Sequence, residues 1–302
     1  MKEEKIGNVK LNYSFYNTNS IYSDGEIENT ILDIVKKNSV YDKILSETNE
    51  FAVYYHLAKE RGFITEVMEL DESQEVLEIG AGCGAITGAL ASKAHKVDCI
   101  ELSQRRSMIN AYKNKDYSNI EIFVGNYEDV QLEKQYDVIT LIGVFEYANY
   151  YIHSDNPYLE FLKDIRKKLK DNGKLYIAIE NRLGIKYFAG CNEDHADRKF
   201  EGIEGYPSYI RAKTFSYYEW LDLIKESEFT NYKFYYPYPD YKFPRQIYSD
   251  EFLPRKEENL ELASNYMSPR EQYFDETKFI KSLVLEKEFK IFANSFFICL
   301  RK

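Results

Sequence analysis

From Asn29 to about Leu70 apolar residues recur at helical spacing: Ile31, Ile34 and Val35, then Phe51, Tyr54, Leu57, Ile64 and Val67. The first 30 residues are polar and rich in Asn, Tyr and Ser, and read as a loosely attached arm. Residues 1–50 are therefore expected to form an N-terminal extension of arm and helices. At Glu75 the period changes. Glu75–Ile79, Val97–Glu101, Ile120–Val124, Tyr136–Val144 and Lys174–Ile179 are short apolar runs. Between them lie helical stretches at Ala85–Lys93, after Ser103 as N-cap, and at Pro157–Leu169, with proline in the first turn. Asp171-Asn-Gly reads as the stop of that last helix. The run at 136–144 is almost wholly apolar, as a strand covered on both faces must be. Strands alternating with helices at this spacing predict a doubly wound, mostly parallel α/β sheet. Tyr232–Tyr236 and Ile291–Leu300 add a terminal antiparallel pair, giving seven strands, with a helix from Ser216 to about Ser227 before them. Residues 181–213 have no clear period and read as a long loop. Residues 237–290 read as an insertion before the last strand, partly helical around Glu257–Tyr266.

Composition changes this picture little, and charge more. The 302 residues carry 40 Lys plus Arg against 50 Asp plus Glu, a net charge of −10. Proteins whose main partner is a nucleic acid usually present a basic surface, so no nucleic-acid partner is expected. Aromatic content is high, with 28 Tyr and 19 Phe. Cys83, Cys99, Cys191 and Cys299 show no zinc-knuckle or redox-pair spacing, and read as reduced thiols. The first residues lack the apolar stretch of a secretory signal, and no apolar run is long enough to span a bilayer. A cytoplasmic protein without a membrane span is the expectation.

The chemistry begins at the loop after the first strand. Gly80, Gly82 and Gly84 alternate with Ala81 and Cys83. Such a loop lets a ligand approach main-chain amides at a helix amino terminus. Glu78 precedes the loop, where its carboxylate is expected to brace the loop amides. Glu101 ends the second strand, where a carboxylate can accept hydrogen bonds from two ribose hydroxyls. A nicotinamide-binding loop shares these features, since Gly80-Ala-Gly-Cys-Gly-Ala satisfies the relaxed dinucleotide pattern. Gly125-Asn-Tyr after the third strand points elsewhere: the Asn126 amide can meet an adenine amino group, with the Tyr127 backbone amide facing the ring. No second mononucleotide-binding half follows the fifth parallel strand.

At this point the sequence resembles the class I S-adenosylmethionine-dependent methyltransferases. The matching stretches are Val76-Leu-Glu-Ile-Gly-Ala-Gly-Cys-Gly, Ile100-Glu-Leu-Ser, Val124-Gly-Asn-Tyr-Glu-Asp, Tyr136-Asp-Val-Ile and Leu169-Lys-Asp-Asn-Gly-Lys-Leu, across roughly residues 51–180. The resemblance implies a Rossmann-like catalytic domain over 51–302, with S-adenosylmethionine held by Glu78, Gly80, Ala81, Gly82, Gly84, Glu101, Leu102, Asn126, Tyr127 and Gly143. The family usually has Asp where this chain has Asn126.

A narrower resemblance covers the second half. Ala178-Ile-Glu-Asn-Arg-Leu-Gly-Ile-Lys-Tyr-Phe-Ala-Gly, Glu193-Asp-His, Phe200-Glu-Gly-Ile-Glu-Gly-Tyr, Lys213-Thr-Phe-Ser and Tyr235-Tyr-Pro-Tyr-Pro-Asp-Tyr-Lys-Phe-Pro look like methyltransferases of bacterial surface-polysaccharide and flagellin-glycan gene clusters. Tyr55-His-Leu and Arg61 match that group too, which puts Tyr55 and Arg61 at the donor. The likeness implies an acceptor that is a sugar or a group on a sugar, with glycan-assembly enzymes as associates.

In this fold ligands bind beyond the carboxyl ends of the strands. Gly143 would let the backbone pass close to the donor, and Glu146 and Tyr147 follow it, either facing the reacting methyl or serving a cap and its packing. Glu180-Asn181-Arg182 has the same two readings. The Glu193-Asp194-His195 triplet is the best general-base candidate: His195 would take the proton, and a carboxylate beside it can hold its tautomer, with Asp194 as a candidate catalytic residue. Tyr206 offers a ring for a sugar face or a sulfonium. Consecutive residues of a strand point to alternate sides, so Glu193-Asp-His is not expected to bind metal. Three other functions stay open: a natural-product methyltransferase, a donor-binding module without catalysis, and a nicotinamide oxidoreductase.

Overall fold

A computed structural model describes residues 3–17, 25–260, 262–263 and 270–302. It divides into two compact units, residues 1–141 with 168–173, and residues 142–167 with 174–302. Each is described by itself.

In the first unit the strands are β1 (Glu3–Ile6), β2 (Val9–Asn12), β3 (Glu75–Ile79), β4 (Lys96–Glu101), β5 (Ile120–Val124) and β6 (Tyr136–Ile142), in the spatial order β1-β2-β5-β4-β3-β6. All pairs are parallel except β1 with β2. The register puts Ile79 beside Ile100 and Glu101 beside Val124, so the carboxyl ends of β3, β4 and β5 finish together. The helices are α1 (Ile27–Lys37), α2 (Asp42–Glu47), α3 (Phe51–Leu57), α4 (Thr87–Ala91) and α5 (Gln104–Lys113), with a 3-10 stretch at Lys59–Val67. Ser103 caps α5 by accepting from the Arg106 amide. Ile31 and Val35 of α1, Val53 and Leu57 of α3, and Ile109 of α5 form one buried cluster with Cys83. The cluster therefore anchors the glycine loop from below. Arg106 of α5 donates from Nε to Glu28 of α1 at 2.7 Å, and both side chains are buried.

In the second unit α6 (Ala148–Tyr151) and α7 (Pro157–Lys168) precede β7 (Leu169–Glu180). α8 (Ile185–Phe188), α9 (Tyr217–Glu226), β8 (Asn231–Tyr238), β9 (Gln246–Ser249), α10 (Glu276–Leu285), α11 (Phe289–Phe292) and β10 (Ser295–Arg301) follow. The order is β7-β10-β8-β9, antiparallel throughout. Phe145 sits among Tyr158, Phe161, Phe215 and Trp220, with ring centroids 4.9–6.1 Å away. Much of the aromatic surplus is consumed in packing of this kind.

Among the described residues ten strands stand where seven were expected. β1 and β2 replace the loose arm over residues 3–12: Val9 and Leu11 are fully buried, an alternation too short to stand out in a polar segment. β9 pairs with β8 inside the expected insertion. The expected helix around 257–266 is not present at its described residues, 257–260 and 262–263; its other positions lie outside the described residues. A helix of the insertion forms instead at α10, capped by Asp275. Asp171-Asn-Gly does not stop α7, which ends at Lys168; β7 begins at Leu169 and runs through it, with Asn172 at φ 65°.

Candidate active site

The first unit carries a glycine cradle. Gly80, Gly82 and Gly84 have φ of 71°, 54° and 76°. The amides of Gly80 and Ala81 donate to the Ile100 carbonyl at 2.8 and 3.2 Å, which ties the loop to β4. A Cβ at Gly84 would stand 2.4 Å from Asn110 Oδ1, whereas one at Gly82 meets nothing within 4 Å. Gly84 thus serves packing, and the space over Gly82 is open to a ligand.

Glu101 braces the cradle. Its Oε2 accepts from the Gly82 amide at 2.8 Å and its Oε1 from the Ser103 amide at 2.8 Å. Burial pushes its carboxyl above the usual range, against the pull of Arg106. Glu78 was expected in that bracing role and has another: its Oε2 accepts from Thr87 Oγ1 at 2.6 Å, and Cys99 Sγ lies 3.5 Å away. Burial raises its carboxyl to about 7. The side chain at the end of β3 points into the core, so the loop amide turns to the acid on the next strand.

Leu102, Asn126 and Tyr127 are half-buried beyond β4 and β5. The Asn126 carbonyl accepts from the amides of Asp129 and Val130, which shapes the turn there. Arg61 donates to the Tyr55 hydroxyl at 3.0 Å, with its guanidinium 4.1 Å from that ring's centroid. His56 is buried, and its carbonyl accepts from Lys113 Nζ at 2.7 Å.

The second unit holds a buried charged cluster. Glu146 follows β6 by four residues; its backbone carbonyl accepts from the Lys213 amide and the Tyr158 hydroxyl at 3.1 and 3.2 Å, beside the aromatic packing of Phe145. Glu180 ends β7. His195 Nε2 lies 3.7 Å from Glu146 Oε1, and Nδ1 lies 2.9 Å from Glu193 Oε1. Burial opposes a charge on His195, but Glu146 and Glu193 outweigh it and hold its pKa well above the usual value. Burial raises the Glu146 carboxyl despite His195. Tyr147 meets the His195 ring edge-on at 5.4 Å.

Three expected roles change here. Glu193, not Asp194, holds the His195 ring. Asp194 accepts from Lys186 and Lys242 at 2.7 and 2.9 Å and from the Tyr187 hydroxyl at 2.6 Å. Burial opposes its charge, yet the two lysines keep its carboxyl well below the usual range. The Tyr206 ring is buried, and its hydroxyl is engaged by Thr214 Oγ1 at 2.7 Å and the Thr214 amide at 2.8 Å. It holds the loop together and has no face to offer a sugar. Gly143 has φ 68°, and a Cβ there would stand 2.8 Å from the Tyr241 hydroxyl, so the close approach in this structure is to Tyr241.

Sequence reasoning missed Lys186 and Lys242, had Glu193 only as a member of the triplet, and had Glu180 only as one of two readings. Lys242 also pairs with Glu180. Its segment stood out for its rings and prolines, and nothing in the pattern singled out the lysine. Asn181 and Arg182 have support roles: Asn181 Nδ2 donates to the Ile291 and Ala293 carbonyls, and Arg182 pairs with Glu219, which closes the capping box of α9 with Ser216.

Residues 77–175 match a family model described as a methyltransferase domain. Ribosomal RNA small subunit methyltransferase A of Mycoplasma capricolum is 28% identical over 136 residues, 44% of this chain and 48% of that protein. Ubiquinone biosynthesis O-methyltransferase of Rickettsia bellii is 26% identical over 148 residues, 49% of this chain and 57% of its own. The chain spans about half the length of these curated relatives. Among solved structures, phosphoethanolamine N-methyltransferase 1 of Haemonchus contortus, in complex with phosphoethanolamine and S-adenosylhomocysteine, is 15% identical. That alignment covers 91% of this chain and 48% of that one, with a TM-score of 0.49. Residues 77–175, which carry most of the glycine cradle and Glu101, thus match a methyltransferase domain, and the match supports S-adenosylmethionine as the methyl donor.

Proposed function

We propose that this protein transfers a methyl group from S-adenosylmethionine to an amino or hydroxyl group of a sugar- or glycan-linked building block. The observation that carries methyl transfer is the glycine cradle, open over Gly82 and braced by Glu101, inside the segment that matches a methyltransferase domain. The sugar acceptor is supported by the likeness of the stretches from Ala178 to Pro244 to glycan-cluster methyltransferases.

S-adenosylmethionine supplies a methyl on a positively charged sulfur, open to in-line displacement. The chain's task is to hold and orient, which can supply several kcal/mol of barrier reduction. In this reading Glu101 holds the ribose, the Gly80–Gly84 backbone makes room for the donor, and Asn126 and Tyr127 border the adenine. Glu146, Tyr147 and His195 meet the acceptor's reacting group, and Glu146 receives its proton. Asp194 and Tyr206 keep the 181–213 loop in shape. Residues 51–302 form the catalytic domain, with that loop and the 237–290 insertion setting acceptor choice.

The test is transfer of a labelled methyl group to a panel of nucleotide-linked amino and hydroxy sugars. Label in a sugar product, lost in Glu101→Ala, is the expected result. Donor binding by calorimetry with no labelled sugar would sink the sugar acceptor and leave the natural-product and binding-module readings. No donor binding at all would sink methyl transfer itself.

A further inference from the structure

Among the buried oxygens of the second unit that lack a hydrogen-bond partner, two stand close together. Glu146 and Glu180 are 1% and 0% exposed, and the Oε2 of each has no hydrogen-bond partner. A buried carboxylate oxygen left without a donor is costly, and such atoms ask for a ligand that is not yet accounted for. They also converge. One donor atom from each of Glu146, Glu180 and His195 lies within 4.8 Å of the others. The three come from separate segments, so the alternation that argued against metal in the Glu193-Asp-His triplet does not apply.

The histidine is oriented for ligation. Glu193 Oε1 faces Nδ1 at 2.9 Å, and Glu193 Oε2 is itself held by the amides of His195 and Ala196 at 2.8 and 2.7 Å. A carboxylate at one ring nitrogen takes that N–H and turns the other nitrogen's lone pair outward, the usual support of a metal-bound imidazole. The outward nitrogen faces Glu146 Oε1 at 3.7 Å, too far for a hydrogen bond. Two donors at roughly 2.1 Å from one ion can stand up to about 4.2 Å apart, so this gap fits an ion between them.

Charge favours the same ligand. The carboxylates of Glu180, Asp194 and Asp240 face the ammonium groups of Lys186 and Lys242, while those of Glu146 and Glu193 face His195. Lys242 occupies Oε1 of Glu180 and leaves Oε2. Five carboxylates against two lysines and one histidine leave the group negative, and a dication reduces that excess.

We propose that Glu146, Glu180 and His195 bind one divalent metal ion, of the Mn2+ or Zn2+ kind that mixed imidazole and carboxylate donors take. Three protein donors leave positions open for water or an acceptor oxygen. The site shares Glu146 and His195 with the acceptor reading of the proposed function, and its test uses neither donor nor acceptor, so the two can fail separately. The full chain, stripped with chelator, is titrated with MnCl2 while free Mn2+ is followed by electron paramagnetic resonance, and with ZnCl2 by calorimetry. One ion per chain is expected, with affinity weakened roughly tenfold or more in Glu180→Gln and His195→Ala and unchanged in His95→Ala, a histidine exposed in the first unit. Circular dichroism checks each fold, and the conservative Glu146→Gln carries the test if His195→Ala does not fold. Absence of saturable binding of either metal overturns the proposal. So does binding that folded Glu180→Gln and Glu146→Gln leave intact.

Discussion

Glu78 shows what a single buried acid costs. Its carboxyl titrates at about 7 in the folded chain, against an ordinary 4.5, chiefly because burial disfavours the charge. Between those values the folded chain keeps a proton that the unfolded chain has released. Stability from this group is therefore complete below the ordinary value and falls as pH rises through about 7. Glu78→Gln keeps an oxygen to accept from Thr87 and removes the charge. In thermal unfolding the variant is expected to gain on the parent above pH 7, by up to about 3 kcal/mol, and to show no such gain near pH 4. A constant offset at both pH values would mean that ionisation is not the cause. The two acids that close β3 and β4 thus divide their work: Glu78 serves the core and Glu101 the loop.

At the scale of elements, the first hairpin is the addition with the clearest energetic role. β2 lies parallel to β5, with Lys10 beside Glu121 and Leu11 beside Ile122. Val9 and Leu11 are buried while Lys10 between them is exposed, the two-residue period of a half-covered strand. β1 in turn covers the free edge of β2, and an uncovered strand edge invites association. Leu11→Ala is expected to cost about 3 kcal/mol in urea unfolding, as full burial of a leucine implies. A loss below about 0.5 kcal/mol would show that the hairpin contributes no core, since surface substitutions stay within that range.

At the scale of the whole molecule, charge decides between partners. This chain carries −10 at pH 7 with a pI near 5.2, and phosphate contacts need cations to neutralise them. A small-subunit ribosomal RNA fragment is therefore expected to migrate unretarded with the protein in a native gel at low salt. Retardation that fades as salt is raised would overturn that expectation. Among the described residues no helix is long and apolar enough to cross a membrane.

The amino-acid sequence alone determined the alternating core of the fold and the position of its glycine loop. The five strands β3 to β7, the α5 cap at Ser103 and the three glycines each follow from local rules: period, capping and backbone freedom act over a few residues. The ends of elements and the short strands β1, β2 and β9 did not follow, because four-residue strands make sense only against the partners that cover them. Tertiary structure alone decided which acid does what. Glu78 and Glu101 look alike along the chain, and only strand register and side-chain direction send one inward and the other to the loop. Glu193 and Asp194 are neighbours, and folding hands one to His195 and the other to two lysines. Glu146, Glu180 and His195 are separated by 34 and 15 positions. Nothing local links them; they meet because strand ends and a loop converge, a fact of packing rather than of pattern.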